Sequence, residues 1–590
     1  MVNAAQIQTQ FEQAFACHQQ GDFPQAVALC EAVLAIEPNH VEALHLSGVM
    51  AAQLKQHWKS VNLIGKAIAL QPGNAAFHCN LGLVLYELNA LVDAVASFDK
   101  AIAIKPDYFE AYINRGNALQ ELRKFDEAVE SFDKAIAIKP DLAETHFNRG
   151  NALKKLEKFD AAVESFDKAI AIKPDLVAAC FNRGNTLLEL HAFEKALASY
   201  DMAIALRPDY HEAYVHRGNA LLELKRFEEA LASYDKVIAI KPDHYEAYSN
   251  RGVVLHELKR LEEAIRSYDS AITIKPDFHE ATLHKSLALL TCGKFRTGWQ
   301  LYESRWNVDR FTSPKRNFSR PLWLGKESLS GKTILLHSEQ GLGDTIQFCR
   351  YIPLVADLGA QVVVEAEESL SGLLEDLRGV SGLVIKGSAL PGFDLHCPLI
   401  SLPLAFRTEL ETIPAPHHYL KSNSGKRAYW EKKLGEKSKP RIGLAWCGST
   451  DFKHYSERSI PLAEMIKHLP EGFSYVSLQK EMRNIDRQTL ESNAQLLHFG
   501  DELKDFTDTA AICDLMDFVI SIDTSVAHLS GALGKTTWVL LPFATDWRWM
   551  LDRDDSPWYP TMRLLRQQKP NDWSGAFGKL GSALLTEYGK

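Results

Sequence analysis

The sequence predicts an α-helical repeat solenoid joined to a two-lobed α/β domain. Three observations lead there. Pro38, Pro72, Pro106, Pro140, Pro174, Pro208, Pro242 and Pro276 keep a constant spacing of 34 residues. Gly48, Gly82, Gly116, Gly150, Gly184, Gly218 and Gly252 keep the same spacing of 34. After Trp306 the period stops, and apolar runs of strand length alternate with apolar residues at helical spacing.

The repeats come first, because a period of this length decides how every single element is read. Between glycine and proline each unit carries a small residue (Ala94, Ala128, Ala162), an aromatic (Phe98, Phe132, Phe166, Tyr200) and a second alanine (Ala101, Ala135, Ala169). Each unit reads as two amphipathic helices. The glycine and alanines allow close approach, the aromatic fills the gap, and the proline ends the second helix. Spacing and residue types together resemble the tetratricopeptide repeat over eight units. A ninth, from about His279 to Trp306, is degenerate, with Ser286 in place of the glycine and Gly298 in place of the small residue. It reads as the cap or junction that a solenoid end needs. The array is thus expected over residues 1–306.

Two residues before the repeat glycine stand Asn80, Asn114, Asn148, Asn182, His216 and Asn250. An amide offers both a donor and an acceptor, so a row of amides can pair with a peptide backbone of any sequence. The row resembles the asparagine ladder of O-GlcNAc transferases and implies a polypeptide partner on the concave face. The alternative is that duplication has copied amides that only solvate a face. Arg115, Arg149, Arg183, Arg217 and Arg251, with Asp133, Asp167, Asp201, Asp235 and Asp269, read as an ion ladder within each repeat.

Residues 307–332 read as a polar connector, 333–435 as a first α/β lobe and 436–590 as a second. In the first lobe, strands are expected at Thr333–Ser338, Gln361–Ala366 and Gly382–Ile385, with helices from Asp344 and near Leu370–Leu377. Pro398–Ser424 reads as loop and short helix, and Ala428–Leu434 as a connecting helix. The second lobe is expected to run from strand Arg441–Trp446 through strands Tyr475–Leu478, Gln495–Phe499, Phe518–Ile522 and Thr537–Leu541. Two such lobes form a cleft, with ligands at the carboxyl ends of the strands.

The stretch Thr333–Arg350 organises the first lobe. A buried parallel strand turns through Glu339-Gln340-Gly341-Leu342-Gly343 into a helix. Unpaired N–H groups at such a helix start attract anions. Gly341 and Gly343 are expected to let a ligand approach the backbone, and Gln340 to line the same space. Asp344 is either a cap of the helix or a carboxylate facing a substrate. Ile346 stands where a dinucleotide fold has its third glycine, which argues against hydride transfer.

The segment DFVISIDTSVAHLSGALGKTTWVLLP (Asp517–Pro542), with GLGDT at Gly341–Thr345, resembles the GT-B glycosyltransferases related to lipopolysaccharide heptosyltransferases. GLAWCGSTDFKHYSERSIPL (Gly443–Leu462) and DWRWMLDRDDSPWYPTMRLLRQ (Asp546–Gln567) look like bacterial proteins that join such a domain to tetratricopeptide repeats. The resemblance implies a double Rossmann-like fold and an inverting transfer of sugar from a nucleotide-sugar donor. It places Asp344 at the catalytic carboxylate and Lys453 at a phosphate-contacting lysine, with Ser449 and Arg458 in the same loop. Thr524 and Ser525 begin a helix directly after a strand, suited to a phosphate. Asp523 would bind sugar or ribose hydroxyls, or else cap that helix. His528 reaches the same space, or else packs in the helix. Trp547, Arg548, Trp549, Trp558 and Tyr559 offer a stacking platform, or else core. Asp552-Arg553-Asp554 reads as structural, so no metal and no cofactor beyond the donor is expected.

The balance of charge, −9 over 590 residues with 24% charged, argues against nucleic acid as the main partner. Nine scattered cysteines without a C-x-x-C pair suggest a reduced, cytoplasmic compartment. No signal-type start or membrane-length apolar run is seen. The expected function is transfer of sugar to a polypeptide recruited by the repeats, with flagellin as a plausible acceptor. The rivals are a scaffold whose lobes have lost catalysis and a transferase acting on lipid-linked sugars.

Overall fold

The computed structural model describes residues 4–309, 311, 313–339, 341–448, 458–493 and 495–588. They divide into two compact units, Met1–Pro242 and Asp243–Lys590. The first unit is a stack of helical hairpins, from Ala4–Gln19 with Phe23–Ile36 to His211–Glu223 with Phe227–Ile240. Its repeat glycines from Gly82 to Gly218 are fixed by the ring they face, and Gly48 by Ile64. A Cβ on Gly116 would stand 2.6 Å from the Phe132 ring, and one on Gly184 would stand 2.6 Å from that of Tyr200. Only a bare Cα admits the aromatic there, which is why the glycine and the aromatic share one period.

The arginine row differs from its expected role. Arg115 reaches back to Asp99 of the preceding hairpin at 2.6 Å and donates forward to Ser131 Oγ at 2.7 Å. Arg149, Arg183 and Arg217 repeat this with Asp133, Asp167 and Asp201. The ladder is therefore between repeats, not within them. The two helices of one hairpin already meet through the glycine and the ring, leaving the long guanidinium to bridge outward. Half-exposed pairs of this kind contribute about 0–1 kcal/mol each, and they fix register more than stability.

The division at Pro242 falls inside the array rather than at 306. The hairpins Tyr245–Glu257 with Leu261–Ile274, and His279–Thr291 with Phe295–Tyr302, belong to the second unit. Apolar packing accounts for this. Phe295 and Trp299 of the ninth hairpin share one buried cluster with Phe348, Trp547 and Trp558 of the lobes. Ser286, where the other hairpins carry glycine, is buried and donates to the Gly298 carbonyl at 2.9 Å.

The first lobe is a parallel sheet of β1 (Thr333–His337), β2 (Gln361–Ala366), β3 (Val380–Ile385) and β4 (Leu395–Pro398), in the order β3-β2-β1-β4. The second is a parallel sheet of β5 (Arg441–Ala445), β6 (Ser474–Ser477), β7 (Leu496–Leu497), β8 (Phe518–Ile522), β9 (Thr537–Leu541) and β10 (Met562–Arg566). Its order is β10-β9-β8-β5-β6-β7. β4 was not expected: four residues ended by a proline carry no readable period. β10 was also not expected, since Arg563 and Arg566 break the apolar run of this edge strand, and neither was the helix Ser574–Tyr588. Among the described residues no helix is long and apolar enough to cross a membrane.

The repeat tyrosines give an internal comparison. Tyr200 and Tyr234 donate to Asn185 Oδ1 and Asn219 Oδ1 at 2.8 and 2.7 Å. In the eighth hairpin Val253 takes the asparagine's place, and the buried Tyr268 hydroxyl has no partner among the described residues. Tyr200→Phe should therefore cost about 1 kcal/mol in chemical denaturation, while Tyr268→Phe should be neutral or stabilising. Equal losses at both positions would contradict this account.

Candidate functional site

Within the second unit a cavity of about 630 Å³ opens between the carboxyl ends of the two sheets. Each wall follows a strand end: Gly341–Asp344 after β1, Gly448 after β5, Gln479–Glu481 after β6, Asp523–Val526 after β8, and Asp546 with Arg548 after β9. This is where a parallel sheet leaves helix starts and loop side chains free to meet a ligand.

Two helices line the cavity, Leu342–Phe348 from the first lobe and Ser525–Ala532 from the second. A Cβ on Gly343 would lie 2.9 Å from His528 Cδ2 and 3.5 Å from Ser525 Cα. A side chain at Gly343 would press on the His528 ring where the two helices meet, and Gly343 also lines the cavity. Gly341 precedes the helix as its N-cap, and its N–H donates to Asp344 Oδ2 at 3.2 Å. Asp344 is therefore not the N-cap but the third residue of the helix, where its side chain accepts from the cap's N–H, and it also lines the cavity.

Asp344 is also ion-paired with Arg548, which reaches over from the other lobe. Arg548 bonds Asp546 Oδ1 at 2.9 Å and donates from Nε to Gln347 Oε1 at 2.6 Å. Burial pushes the Asp344 carboxyl above its ordinary value, against the pull of Arg548 and with the push of Asp546. Asp523 is pushed up to about 6 by burial and by Asp546, with Arg458 and Arg548 opposing. It does not cap the following helix, whose N-cap is Thr524.

His528 is enclosed. Its Nδ1 lies 2.9 Å from the Tyr559 hydroxyl, its ring stacks on Trp549, and its Nε2 lies 4.0 Å from Asp523. Burial, then Arg548, Arg350 and Arg458, hold its pKa well below the ordinary value, so it is neutral at pH 7. His528 is packed in its helix and also lines the cavity.

Gly341, Gly343, Asp344, Arg458, Asp523, Thr524, Ser525 and His528 thus come together around one space. Gln340, Ser449 and Lys453 lie outside the described residues. The tryptophans do not form a platform. Trp547, Trp549 and Trp558 are buried, and Trp547 packs edge-on against Trp299 with ring centres 5.1 Å apart. Arg548 alone of that block lines the cavity. Sequence reasoning missed Asp546, Gln479 and Asp505; the signal was their position just beyond a strand or at a helix start. Among the described residues no cluster of three His, Cys, Asp or Glu side chains is arranged to hold a metal ion.

In the repeats, the asparagine row binds within the array. Asn80 Nδ2 lies 2.8 Å from His45 Nε2, and Asn148 and Asn182 donate to Asn117 and Asn151 of the preceding hairpins at 3.0 and 2.8 Å. Burial pushes the Cys79 thiol up, with Tyr108 and Asn114 opposing. His216 departs from the amide pattern: its ring stacks on Tyr200 and meets Phe181 edge-on. Asn250 lies in the second unit, apart from the rest of the row.

Comparison with known proteins identifies the hairpins. The tetratricopeptide-repeat pattern matches residues 109–142, 143–176, 177–210 and 245–278, and a second TPR-repeat pattern matches 84–122 and 218–259. The hairpins within residues 84–210 and 218–278 are tetratricopeptide repeats. Protein FlbA of Caulobacter vibrioides is 26% identical over 328 residues, 51% of this chain and 54% of that protein. The match therefore spans about half the length of that relative. Among solved structures, YrrB, described as a TPR protein with an unusual peptide-binding site, is 27% identical with a TM-score of 0.31. That likeness covers 33% of this chain and all of YrrB. MamA is 24% identical with a TM-score of 0.27, over 29% of this chain and 92% of its own.

Asp523 gives a pH signature. An acid whose pKa is raised on folding adds stability below its unfolded value, and that contribution is lost as pH rises through about 6. Asp523→Asn should remove a fall in stability on the order of 2 kcal/mol between about pH 4 and pH 6. Thermal melts across that range check it; a variant whose pH dependence matches wild type would refute the assignment.

Proposed function

We propose that the cavity transfers a sugar from a nucleotide-sugar donor to a hydroxyl of a polypeptide recruited by the repeats. The observation that carries this reading is the convergence of Asp344, Asp523, Arg458, Arg548 and the N-terminus of the helix Ser525–Ala532 at the facing carboxyl edges of two parallel sheets. A helix start and two guanidinium groups suit a diphosphate. They supply positive charge for the leaving group without a metal. The GT-B resemblance of the sequence supports the same reading, and the tetratricopeptide repeats support a polypeptide partner.

In this reaction the acceptor oxygen attacks the anomeric carbon, the carbon–phosphate oxygen bond breaks, and the nucleoside diphosphate leaves with the bonding pair. Asp344 takes the hydroxyl proton, and attack from the face opposite the leaving group inverts the anomeric centre. Each of its carboxylate oxygens has one donor bonded and a further lone pair to receive that proton. Burial raises its pKa toward the working range of a general base. Asp523 faces the donor's hydroxyls, and neutral His528 adds a hydrogen-bonding group beside it.

Asp344→Asn keeps the shape and the Arg548 contact but removes the base. Transfer to a test acceptor should fall by about 100-fold or more, while nucleotide binding stays within about threefold. Flagellin is the first acceptor to try. Unchanged transfer would overturn the role of Asp344. No transfer by the wild type to any acceptor, with partner binding intact, would favour a scaffold built on the repeats.

A further inference from the structure

Tyr559 does not line the cavity, yet its hydroxyl lies 2.9 Å from Nδ1 of His528, which does. Both side chains are buried. Their bond can run in two directions, and the direction decides which ring nitrogen carries the hydrogen. If the phenol donates, Nδ1 is the bare acceptor and Nε2 is the N–H. If Nδ1 donates, Nε2 is a bare lone pair.

Three neighbours select the first arrangement. Burial pushes the Tyr559 phenol above its ordinary value, so it keeps its proton. The Arg350 guanidinium lies over its ring, 4.4 Å from the centre, and a cation there strengthens the phenol as a donor. Tyr419 already gives its hydrogen to the Ile346 carbonyl at 3.0 Å and accepts from Arg350 at 3.0 Å, which leaves the hydrogen of Tyr559 for His528. At the far side of the imidazole, Nε2 lies 4.0 Å from Asp523 Oδ1. Asp523, pushed up to about 6 by burial and by Asp546, is mostly ionised at pH 7. An N–H turned toward a carboxylate is attracted, and a lone pair is repelled.

We infer that Tyr559 is a positioning residue: its hydroxyl donates to Nδ1 and fixes His528 as an Nε2–H donor, which with the Asp523 carboxylate holds one hydroxyl of the sugar. The inference rests on the sugar-transfer reading of the cavity. A separation of 4.0 Å is too long for a direct bond between Nε2 and Oδ1. It leaves room for one oxygen about 2.8 Å from each. That oxygen must give a hydrogen to the carboxylate and accept one from the imidazole. A hydroxyl does both. A phosphate oxygen has no hydrogen for Asp523, and an ammonium has no lone pair for His528.

Ring-nitrogen NMR of the full chain labelled with nitrogen-15 histidine tests the tautomer at pH 7. The His528 signals are those lost in His528→Gln, or those displaced in Tyr559→Phe should the first variant fail to fold. The wild type should show a protonated Nε2 and a bare, hydrogen-bonded Nδ1. In Tyr559→Phe the Nδ1 signal should move to the position of a free acceptor. A protonated Nδ1 in the wild type, or spectra that Tyr559→Phe leaves unchanged, would overturn the role of Tyr559. Calorimetric titration reads the ligand, using whichever of the ADP-, UDP-, GDP- and CMP-linked sugars binds the wild type. Tyr559→Phe should bind that sugar nucleotide about fivefold more weakly, and the matching nucleoside diphosphate within about twofold of wild type. Equal weakening of both ligands would overturn the hydroxyl assignment. No binding of any of the four by wild type would overturn the sugar-transfer reading and the hydroxyl assignment with it, while the tautomer is decided by the spectrum alone.

Discussion

Gly343 and His528 meet with no space for a Cβ between them, and the rest of the second unit is arranged around that contact. It brings the start of one helix in the first lobe against the start of another in the second. Because both helices follow strands directly, the approach also brings the carboxyl edges of β1 and β8 to face one cavity. Arg548 then completes the junction, bonding Asp546 of its own loop and both Asp344 and Gln347 of the opposite lobe. Removing water from this junction raises Asp344 and Asp523 and lowers His528, so one constraint sets both the shape and the protonation of the site.

The repeats reach the same junction through packing. The ninth hairpin ends in a short turn, Glu303–Asn307, whose Arg305 is fully buried. Its guanidinium grips both oxygens of Glu339 at 2.9 and 3.0 Å, and bonds Glu303, Ser401 and the Tyr302 carbonyl as well. All five donors of the side chain are used, which makes a buried cation tolerable. Glu339 stands two residues before Gly341, so the end of the array and the loop that carries Asp344 are held by one residue. This is why the last two hairpins belong to the unit with the lobes.

Much of this was legible in the sequence because periodicity reports packing directly. The 34-residue spacing of glycine with an aromatic is the trace of a Cβ-sized clash, and strand–turn–helix runs are the trace of parallel sheets. What was not legible depends on which side chains meet at long range. Asp344 and Arg548 are 204 residues apart, and nothing local marks them as partners. The tryptophans near Arg548 resemble a platform in sequence, yet Trp547 packs on Trp299 and Trp558 on Phe295, both of a repeat helix, contacts that no local pattern encodes. The arginine ladder was misassigned for a related reason: identical repeats give the same sequence pattern whether a pair forms within one unit or between two.

The most direct measurement of the central claim is a thermal-shift panel of the full chain with ADP-, UDP-, GDP- and CMP-linked sugars. A ligand at 100 times its dissociation constant adds about 2.7 kcal/mol to the unit that binds it. The account predicts a clear upward shift with one nucleotide class, reduced when Arg548 is changed to Met. No shift with any of the four would contradict a nucleotide-sugar site between the two sheets.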